Sequence, residues 1–197
     1  GTALDRGGVP ATPEGRGLYE RVGFQRIGEL RQHQGTALPA PLVALGEGWR
    51  LRPAGASDRP ALRALDAQAR GMPRDALIDE LVAEAETAVV LDHNGTPRGF
   101  GLLRRFGRGH VIGPVVAPDA ESAKVLIAHL VGQNAGRFTR IDVDHASGLS
   151  EWLEGIGLPV VDAPTTMLRG APLPTAAQGP TLFAITRPLQ TVSAPRA

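Results

Sequence analysis

Cysteine is absent from this chain of 197 residues, lysine and tyrosine occur once each, and aromatic residues make up 4% of the sequence. The lack of cysteine excludes disulfide bonds and thiolate metal sites. A net charge of +1 gives no electrostatic reason to expect a nucleic-acid or anionic-membrane partner. No apolar run approaches the roughly 20 residues that a helix needs to cross a bilayer, and no leader-like segment opens the chain. We therefore expect a cytoplasmic protein.

The chain contains enough hydrophobic residues to form a substantial core. Hydrophobic residues make up 42% of the sequence, and its length suits one domain of ordinary size with an additional fragment. The first residue is Gly1 and not methionine, so we expect the natural start to lie upstream.

The start of the chain has the pattern that usually closes a domain. Thr12 is a suitable helix cap, Leu18 and Val22 lie on one face of the predicted helix, and Gly23 ends it. The next segment, FQRIGEL, predicts a strand with a glycine irregularity. Residues 33–47 contain glycine and two prolines without a clear period, which is typical of a linker.

A second pattern begins at Gly48. WRLRP alternates as a strand does, and two helices are predicted next, one capped at Ser57 and Asp58 and one beginning at Asp75. Further along, HNGT separates two apolar runs, and Asn-Gly strongly favours a tight hairpin turn. From Gly48 the expected order is β-α-α-β-β-β-α-β-α-β-β. This order predicts an α/β fold with a mixed, mostly antiparallel sheet flanked by helices.

Two segments resemble the late helix-turn-strand motif of the GNAT family, whose members transfer acetyl from acetyl-CoA to an amine. In GRGLYERVGF the motif's tyrosine, glycine and aromatic residue are Tyr19, Gly23 and Phe24, and GLSEWLEGIGL is a weaker second copy. The resemblance extends to the order of elements. It implies that residues 1–32 are the C-terminal remnant of a first GNAT domain and that residues 48–187 are a second GNAT-like domain, as in tandem-GNAT bacterial acetyltransferases.

The resemblance also implies a chemistry for these residues. An amine attacks the thioester carbonyl, a backbone N–H on a splayed central strand stabilises the oxyanion, and the departing thiolate needs a proton. Tyr19 matches the family's general acid. The alternative is that Tyr19 only packs its ring and hydrogen-bonds its hydroxyl group.

The second copy departs from the family pattern twice. The family holds the CoA pyrophosphate at a helix N-terminus with a basic or Gln residue and two glycines, whereas VVAPDAESAK offers Asp119 and Glu121. These carboxylates disfavour a phosphate unless Lys124 compensates. The residue four positions before Gly157 is Leu153, which has no proton to donate. We therefore expect the second domain to support acetyl transfer without catalysing it.

Other candidate sites have less support. Arg104 and His110 lie near the strand that faces substrate in the family, so they are candidate substrate-binding residues, with surface or turn positions as the alternative. Asp142, Asp144 and His145 form an acidic cluster, but carboxylates at a strand end are usually solvated, and we expect no metal site. The basic segment RRFGRGH has too few stacking aromatics for a nucleic-acid interface.

The sequence therefore predicts a fragment of an N-acetyltransferase that uses acetyl-CoA and a small-molecule or peptide amine. The chain alone is expected to be inactive or nearly so, and a homodimer is possible. The alternative is a non-catalytic GNAT-like binding or dimerisation module without CoA. A polar, proline-containing tail, residues 188–197, is expected to fray.

Overall fold

The computed structural model describes residues 8–11, 13–39, 43–170 and 179–185. Their strands form one mixed sheet with helices on both faces, which confirms the predicted fold class. No helix within these ranges is long and apolar enough to cross a membrane. The expected cap at Thr12 and the expected tail, residues 188–197, lie outside the described residues.

Strands outnumber helices in the described residues. The strands are β1 (Gly8–Ala11), β2 (Gln25–Thr36), β3 (Trp49–Pro53), β4 (Thr87–His93), β5 (Thr96–Phe106), β6 (Gly109–Ala117), β7 (Phe138–Asp144), β8 (Val160–Asp162), β9 (Thr165–Leu168) and β10 (Thr181–Ala184). The helices are α1 (Pro13–Arg21), α2 (Arg59–Arg70), α3 (Asp75–Glu84), α4 (Ala120–Gln133) and α5 (Ser150–Gly155). The strand order is β1-β9-β2-β7-β10-β6-β5-β4-β3, and β8 pairs with β2. Among the described pairings, only β6 and β7 run parallel.

The predicted hairpin is present where the sequence indicates it. Asn94 and Gly95 join β4 to β5, and both have positive φ, 50° and 82°. Two consecutive left-handed residues match the twist of the strands they connect. The helices predicted after the first strand are also present, as the separate elements α2 and α3.

Asp58 does not cap α2 with its side chain, which corrects the expectation for Ser57 and Asp58. Its carboxylate accepts hydrogen bonds from the guanidinium of Arg52 at 2.7 and 2.8 Å and from the amide of Gly55 at 2.7 Å. The hydrogen bonds from Arg52 hold the pKa of Asp58 below its ordinary value. Asp58 therefore ties β3 to the start of α2, because a charged partner on β3 outcompetes the free helix amides.

The expected linker begins later than predicted, because β2 continues through Thr36. Residues 30–36 pair with residues 138–144 of β7, and Ala37 is buried. The residues at this end of β2 are polar and do not alternate with apolar ones, so the sequence pattern does not reveal a strand. The strand forms here because its backbone pairs with β7. A consequence is that the described strands before residue 37 and those after residue 48 belong to one sheet. The division into two domains stays a prediction.

The core lies on both faces of the sheet. One cluster packs α4 and α5 against the sheet, and the other packs α2 and α3 against the opposite face. The first cluster contains Leu103, Ile112, Leu126, Ile141, Leu153 and Phe183 among its members. The second contains Leu62, Ile78, Phe100, Leu102 and Val116 among its members. Strand β6 supplies residues to both and is buried along its whole length.

The apolar side chains at the end of helix α1 are more exposed than an apolar helix face predicts. The helix ends at Arg21, one residue before Val22, and Leu18 and Val22 are 63% and 48% exposed. The backbone of α1 lies near β1 and β9. Two apolar side chains at the end of α1 are therefore turned to solvent.

Candidate functional site

Two helix ends in the structure have the same geometry. At the end of α1, the amide of Phe24 donates to the carbonyl of Tyr19 at 3.0 Å, and the amide of Gly23 donates to the carbonyl of Glu20 at 3.1 Å. Gly23 has φ of 87°, so this is a Schellman end with a left-handed glycine.

The end of α5 repeats these bonds. Leu158 donates to the carbonyl of Leu153 at 2.9 Å, Gly157 donates to the carbonyl of Glu154 at 3.0 Å, and Gly157 has φ of 90°. The two segments that the sequence pairs as copies of one motif therefore share a backbone conformation as well as a residue pattern.

The side chains at the shared position are chemically different. Tyr19 is half-buried, and its ring contacts the ring of Phe24 edge-on, with centroids 5.3 Å apart. Leu153 is fully buried in the core beside α4. The phenol of Tyr19 can donate a proton, whereas the aliphatic side chain of Leu153 cannot. The role of Tyr19 as a catalytic acid stays a prediction.

The N-terminus of α4 is occupied by acidic side chains. Asp119 accepts a hydrogen bond from the amide of Ser122 at 2.7 Å, which uses one of the free helix amides. The side chain of Glu121 is 76% exposed and pairs with Lys124 at 2.7 Å. A cavity of about 230 Å³ lies here, bounded by residues 43–46 and by Asp119, Glu121 and Ser122. A phosphate at this helix end would meet two carboxylates and a cation that is already paired.

The strand before α4 diverges from its parallel neighbour. Strands β6 and β7 pair at residues 110–112 and 139–141, and beyond that point β10 lies between them. Gly113 and Pro114 mark the point of divergence on β6, and Pro114 has no amide hydrogen to donate. This fork lies at the end of β6 that leads into α4.

Arg104 and His110 are on opposite faces of the sheet. Arg104 pairs with Val111, and the next pair along the strands is Arg105 with His110. The side chains of a directly opposed pair share one face of the sheet, and successive pairs alternate between the two faces. Arg104 is buried and its Nε donates to the carbonyl of Gly113 at 3.2 Å. A ligand on one face would therefore reach only one of the two side chains, and the substrate-binding role of each stays a prediction.

His110 belongs to a charged cluster that sequence reasoning did not find. Its Nε2 lies 2.9 Å from the carboxylate of Glu86, which also accepts from Arg137 at 2.8 Å. The hydrogen bond from Arg137, with that from His110, lowers the pKa of Glu86. Glu86 precedes β4 while Arg137 precedes β7, so only the three-dimensional arrangement brings these residues together.

A cavity lies beside this cluster, at the end of the sheet opposite the N-terminus of α4. It measures about 500 Å³ and is bounded by residues 53–56, by the end of α3 and by the start of β4, with Arg59 and Glu86 in its walls. Both oxygens of Glu86 are already engaged by neighbouring side chains. The lining indicates no particular ligand.

The acidic segment that ends β7 does not assemble a metal centre. Asp142 accepts two hydrogen bonds from Arg140, at 2.9 and 2.6 Å, and Asp144 accepts from the amide of Ala146 at 2.8 Å. Within the part of the chain that the structure describes, no group of three or more carboxylate or histidine side chains is placed to hold a metal ion.

The described residues of the second copy do not fit acetyl-CoA as they stand. Asp119 and Glu121 oppose a pyrophosphate at the N-terminus of α4, and β10 takes the space between β6 and β7. Leu153 is buried where a proton donor would be needed. The acidic side chains and Leu153 agree with the two departures that the sequence predicts, whereas the position of β10 is seen only in the structure.

Comparisons with known proteins agree with this architecture. A family model described as an acetyltransferase (GNAT) domain matches residues 62–184, which is more than half of the chain. The chain is 29% identical over 147 residues to the uncharacterized N-acetyltransferase YitH of Bacillus subtilis, and the match covers 70% of this chain and 49% of YitH. The chain thus spans about half the length of this curated relative.

Solved structures show the same fold. A GCN5-related N-acetyltransferase from Sphaerobacter thermophilus superposes with a TM-score of 0.64 at 16% identity, covering 89% of this chain and 64% of that one. One from Kribbella flavida superposes with a TM-score of 0.57 at 12% identity, covering 81% and 65%.

Proposed function

Because this chain belongs to the GNAT acetyltransferase family, we propose that it is the C-terminal part of a tandem-GNAT N-acetyltransferase. The complete protein transfers acetyl from acetyl-CoA to a small-molecule or peptide amine. The domain in residues 48–187 supports that reaction and does not catalyse it. The proposal agrees with the span of the match to YitH, which leaves about half of that relative unmatched.

The observation that carries the proposal is the duplicated helix end. Two Schellman ends with the same hydrogen bonds, each leading towards strands, are what two copies of one motif would produce. Tyr19 stands in the first copy at the position where Leu153 stands in the second. In the complete protein, the hydroxyl group of Tyr19 would supply the proton that the departing thiolate needs.

Exposed apolar side chains near the start of the described chain support the same proposal. Leu18 on α1, Val22 just after α1 and Ile27 on β2 are each about half exposed or more. Exposed apolar side chains of this kind commonly mark an interface. The rest of a first GNAT domain would cover them.

The second candidate function is a binding or dimerisation module that uses no CoA. The acidic N-terminus of α4 and the strand between β6 and β7 favour it over a catalytic second domain. The two candidates differ in the activity of the complete protein. If the chain belongs to a binding or dimerisation module, the complete protein does not catalyse acetyl transfer.

Titration of the chain with acetyl-CoA in a calorimeter tests the supporting role. We expect no saturable binding, and Asp119→Asn with Glu121→Gln should not by itself create it, because β10 remains in place. Tight, saturable binding to the unmodified chain would show that the second domain holds cofactor, and the supporting role would be wrong.

A separate test addresses Tyr19 in a full-length parent enzyme. Tyr19→Phe should lower the acetyl-transfer rate by roughly 10²–10⁴-fold, the range typical of a general acid. Phe24→Leu is the matched control, because it alters the ring contact without removing a proton donor. Equal rates for Tyr19→Phe and the unmodified enzyme would assign Tyr19 to packing alone.

A further inference from the structure

Two partly exposed phenylalanine rings lie close together at one end of the sheet. Phe106 ends β5 and Phe138 begins β7, and the two residues are 37% and 47% exposed. Phe106 pairs with Gly109 of β6, and a Cβ atom on Gly109 would lie 2.7 Å from the ring of Phe138. The two rings therefore lie on either side of Gly109, where only a glycine leaves room for the ring of Phe138.

Arg140 holds this arrangement in place. Its guanidinium carbon lies 5.2 Å from the centroid of the Phe106 ring, and its guanidinium donates two hydrogen bonds to Asp142, at 2.9 and 2.6 Å. A cation over an aromatic face is attracted by the quadrupole of the ring. The side chain of Arg140 is only 13% exposed, so a partner that binds here does not have to order it.

More exposed arginines surround the rings. Arg108 is exposed in the turn between β5 and β6, and the side chains of Arg105 and Arg137 are 86% and 53% exposed. Arg105 and Arg137 share one carboxylate, that of Glu86, at 3.7 and 2.8 Å. Their charge is therefore only partly neutralised within the chain.

These residues form one surface, which we name the Arg–Phe end; its members are Arg105, Phe106, Arg108, Arg137, Phe138 and Arg140. Its four guanidinium groups outnumber the two carboxylates that pair with them, those of Glu86 and Asp142. The whole chain has a net charge of only +1, so positive charge is concentrated here. Such a surface is complementary to a partner that supplies carboxylates and an apolar side chain.

The Arg–Phe end is separate from the exposed apolar residues near α1. Thr36 of β2 pairs with Phe138, and Ile27 lies nine residues earlier on the same strand. At about 3.3 Å per residue, the two places lie roughly 30 Å apart along β2. A domain that covers Ile27 therefore does not explain why the rings are exposed at this end.

We propose that the Arg–Phe end is a docking surface for an acidic peptide segment that carries one aromatic or aliphatic anchor. The carboxylates of the segment pair with Arg105, Arg108 and Arg137, and the anchor packs on the rings of Phe106 and Phe138. A guanidinium can bind a carboxylate through two parallel hydrogen bonds, which gives orientation as well as attraction.

A single-stranded nucleic acid fits this surface less well. Successive bases would need a row of rings on which to stack, and the surface offers two. The inference goes beyond the proposed function, because docking of a peptide here requires neither CoA nor acetyl transfer.

The experiment titrates the full chain with short capped peptides, followed by NMR at low salt. The acidic probe is EEWEE, while QQWQQ lacks its charge and EEAEE lacks its anchor. Arg105→Gln with Arg108→Gln removes two exposed charges and leaves both rings in place, and Phe138→Ala removes one ring. Arg98→Gln is the matched control, because Arg98 is an exposed arginine near the opposite end of β5.

We expect EEWEE to bind saturably and to shift the amide signals of Arg108 and Phe138, but not those of Asn94 and Gly95 before the start of β5. The affinity for EEWEE should fall roughly five- to tenfold in the arginine double variant and remain unchanged in Arg98→Gln. QQWQQ and EEAEE should each bind more weakly than EEWEE. Raising the salt concentration from about 0.05 to about 0.5 M should weaken the binding of EEWEE, because the paired charges are exposed.

Several outcomes would overturn the proposal. No saturable binding of EEWEE, or equal affinity in the unmodified chain and the arginine double variant, would show that the charge of this end is not used. Tighter binding of a thymidine decamer than of EEWEE would identify a nucleic-acid surface. Dimerisation in sedimentation that the double variant abolishes would make a second copy of the chain the occupant. The double variant changes exposed side chains only, so it decides the question even if Phe138→Ala does not fold.

Discussion

His33 gives a direct test of whether β2 is an integral part of the folded chain. The residue is fully buried on β2. Its Nδ1 lies 2.7 Å from the carbonyl oxygen of Leu158, and its Nε2 lies 3.0 Å from the hydroxyl oxygen of Ser150. A carbonyl only accepts, so Nδ1 carries the proton and Nε2 accepts from Ser150. Neutral His33 thereby joins β2 to both ends of the segment that contains α5.

The substitution His33→Phe keeps a ring of similar volume and removes both hydrogen bonds. Each bond contributes about 0.5–1.5 kcal/mol, and leaving the carbonyl of Leu158 buried and unpaired costs about 1–3 kcal/mol. We therefore expect the free energy of unfolding to fall by about 3 kcal/mol, measured by urea denaturation at pH 8. Ser150→Ala removes one bond only and should cost about 1 kcal/mol.

The same variant should alter the pH dependence of stability. Burial lowers the pKa of His33 from 6.5, and its charged neighbours Glu154, Asp142 and Arg31 act less strongly. As the pH falls below 6.5, the unfolded chain binds a proton that the folded chain resists, so the contribution of His33 is present above that pH and is lost below it. His33→Phe should therefore cost more stability at pH 8 than at about pH 5.5.

Two results would refute this reasoning. A loss below about 1 kcal/mol would mean that β2 contributes little through this contact. An equal loss at both pH values would mean that His33 does not titrate as a buried neutral ring. Hydrogen exchange at Ile141 and Val143 provides an independent measurement, because these residues of β7 should lose protection if β2 detaches.

Two further predictions concern the rest of the fold. Asp66 is fully buried and receives two hydrogen bonds from Arg74, at 2.6 and 2.7 Å, so Asp66→Ala should lower the free energy of unfolding by about 3–5 kcal/mol in urea denaturation. Asp79→Ala, in a more exposed ion pair, should cost less than about 1 kcal/mol, and a similar cost for both would contradict the argument from burial. A Cβ atom on Gly99 would lie 2.6 Å from a carbonyl oxygen of β6, so Gly99→Ala should lower the free energy of unfolding by about 1–3 kcal/mol. A Cβ atom on Gly132 would have no neighbour within 4 Å, so Gly132→Ala should not lower the free energy of unfolding.

Features encoded within a few residues were predictable from the sequence. The Asn94–Gly95 turn needs only two residues with positive φ, and the left-handed Gly23 and Gly157 end their helices locally. The absence of a proton donor in the second copy follows from counting four positions back to Leu153. The order of strands and helices from Gly48 onward follows from apolar periodicity and turn residues, and the structure confirms it apart from the short strand β8.

Features that depend on long-range pairing were not predictable. Nothing in TLFA indicates that it lies between β6 and β7, because its pairing partners on those strands are far away in the chain. The partnership of Glu86 with His110 joins segments far apart in the chain. Arg104 and His110 looked equivalent in sequence, but their faces depend on the register between β5 and β6. The strand assignment of residues 33–36 required the backbone partners on β7.

The interior position of β2 in the sheet has a consequence for how the chain reaches its native state. Leu30 pairs with Asp144, so β2 leaves the ribosome more than a hundred residues before its partner does. At roughly 5–20 residues per second, the nascent strand waits about 6–23 s without its neighbour. Its polar stretch, Gln32 to Gln34, is unlike an aggregation-prone segment, because such segments are apolar and rich in β-branched residues. This stretch therefore has little tendency to aggregate during that delay. The hydrophilic character that made residues 33–36 resemble a linker would thus protect this end of β2 during synthesis.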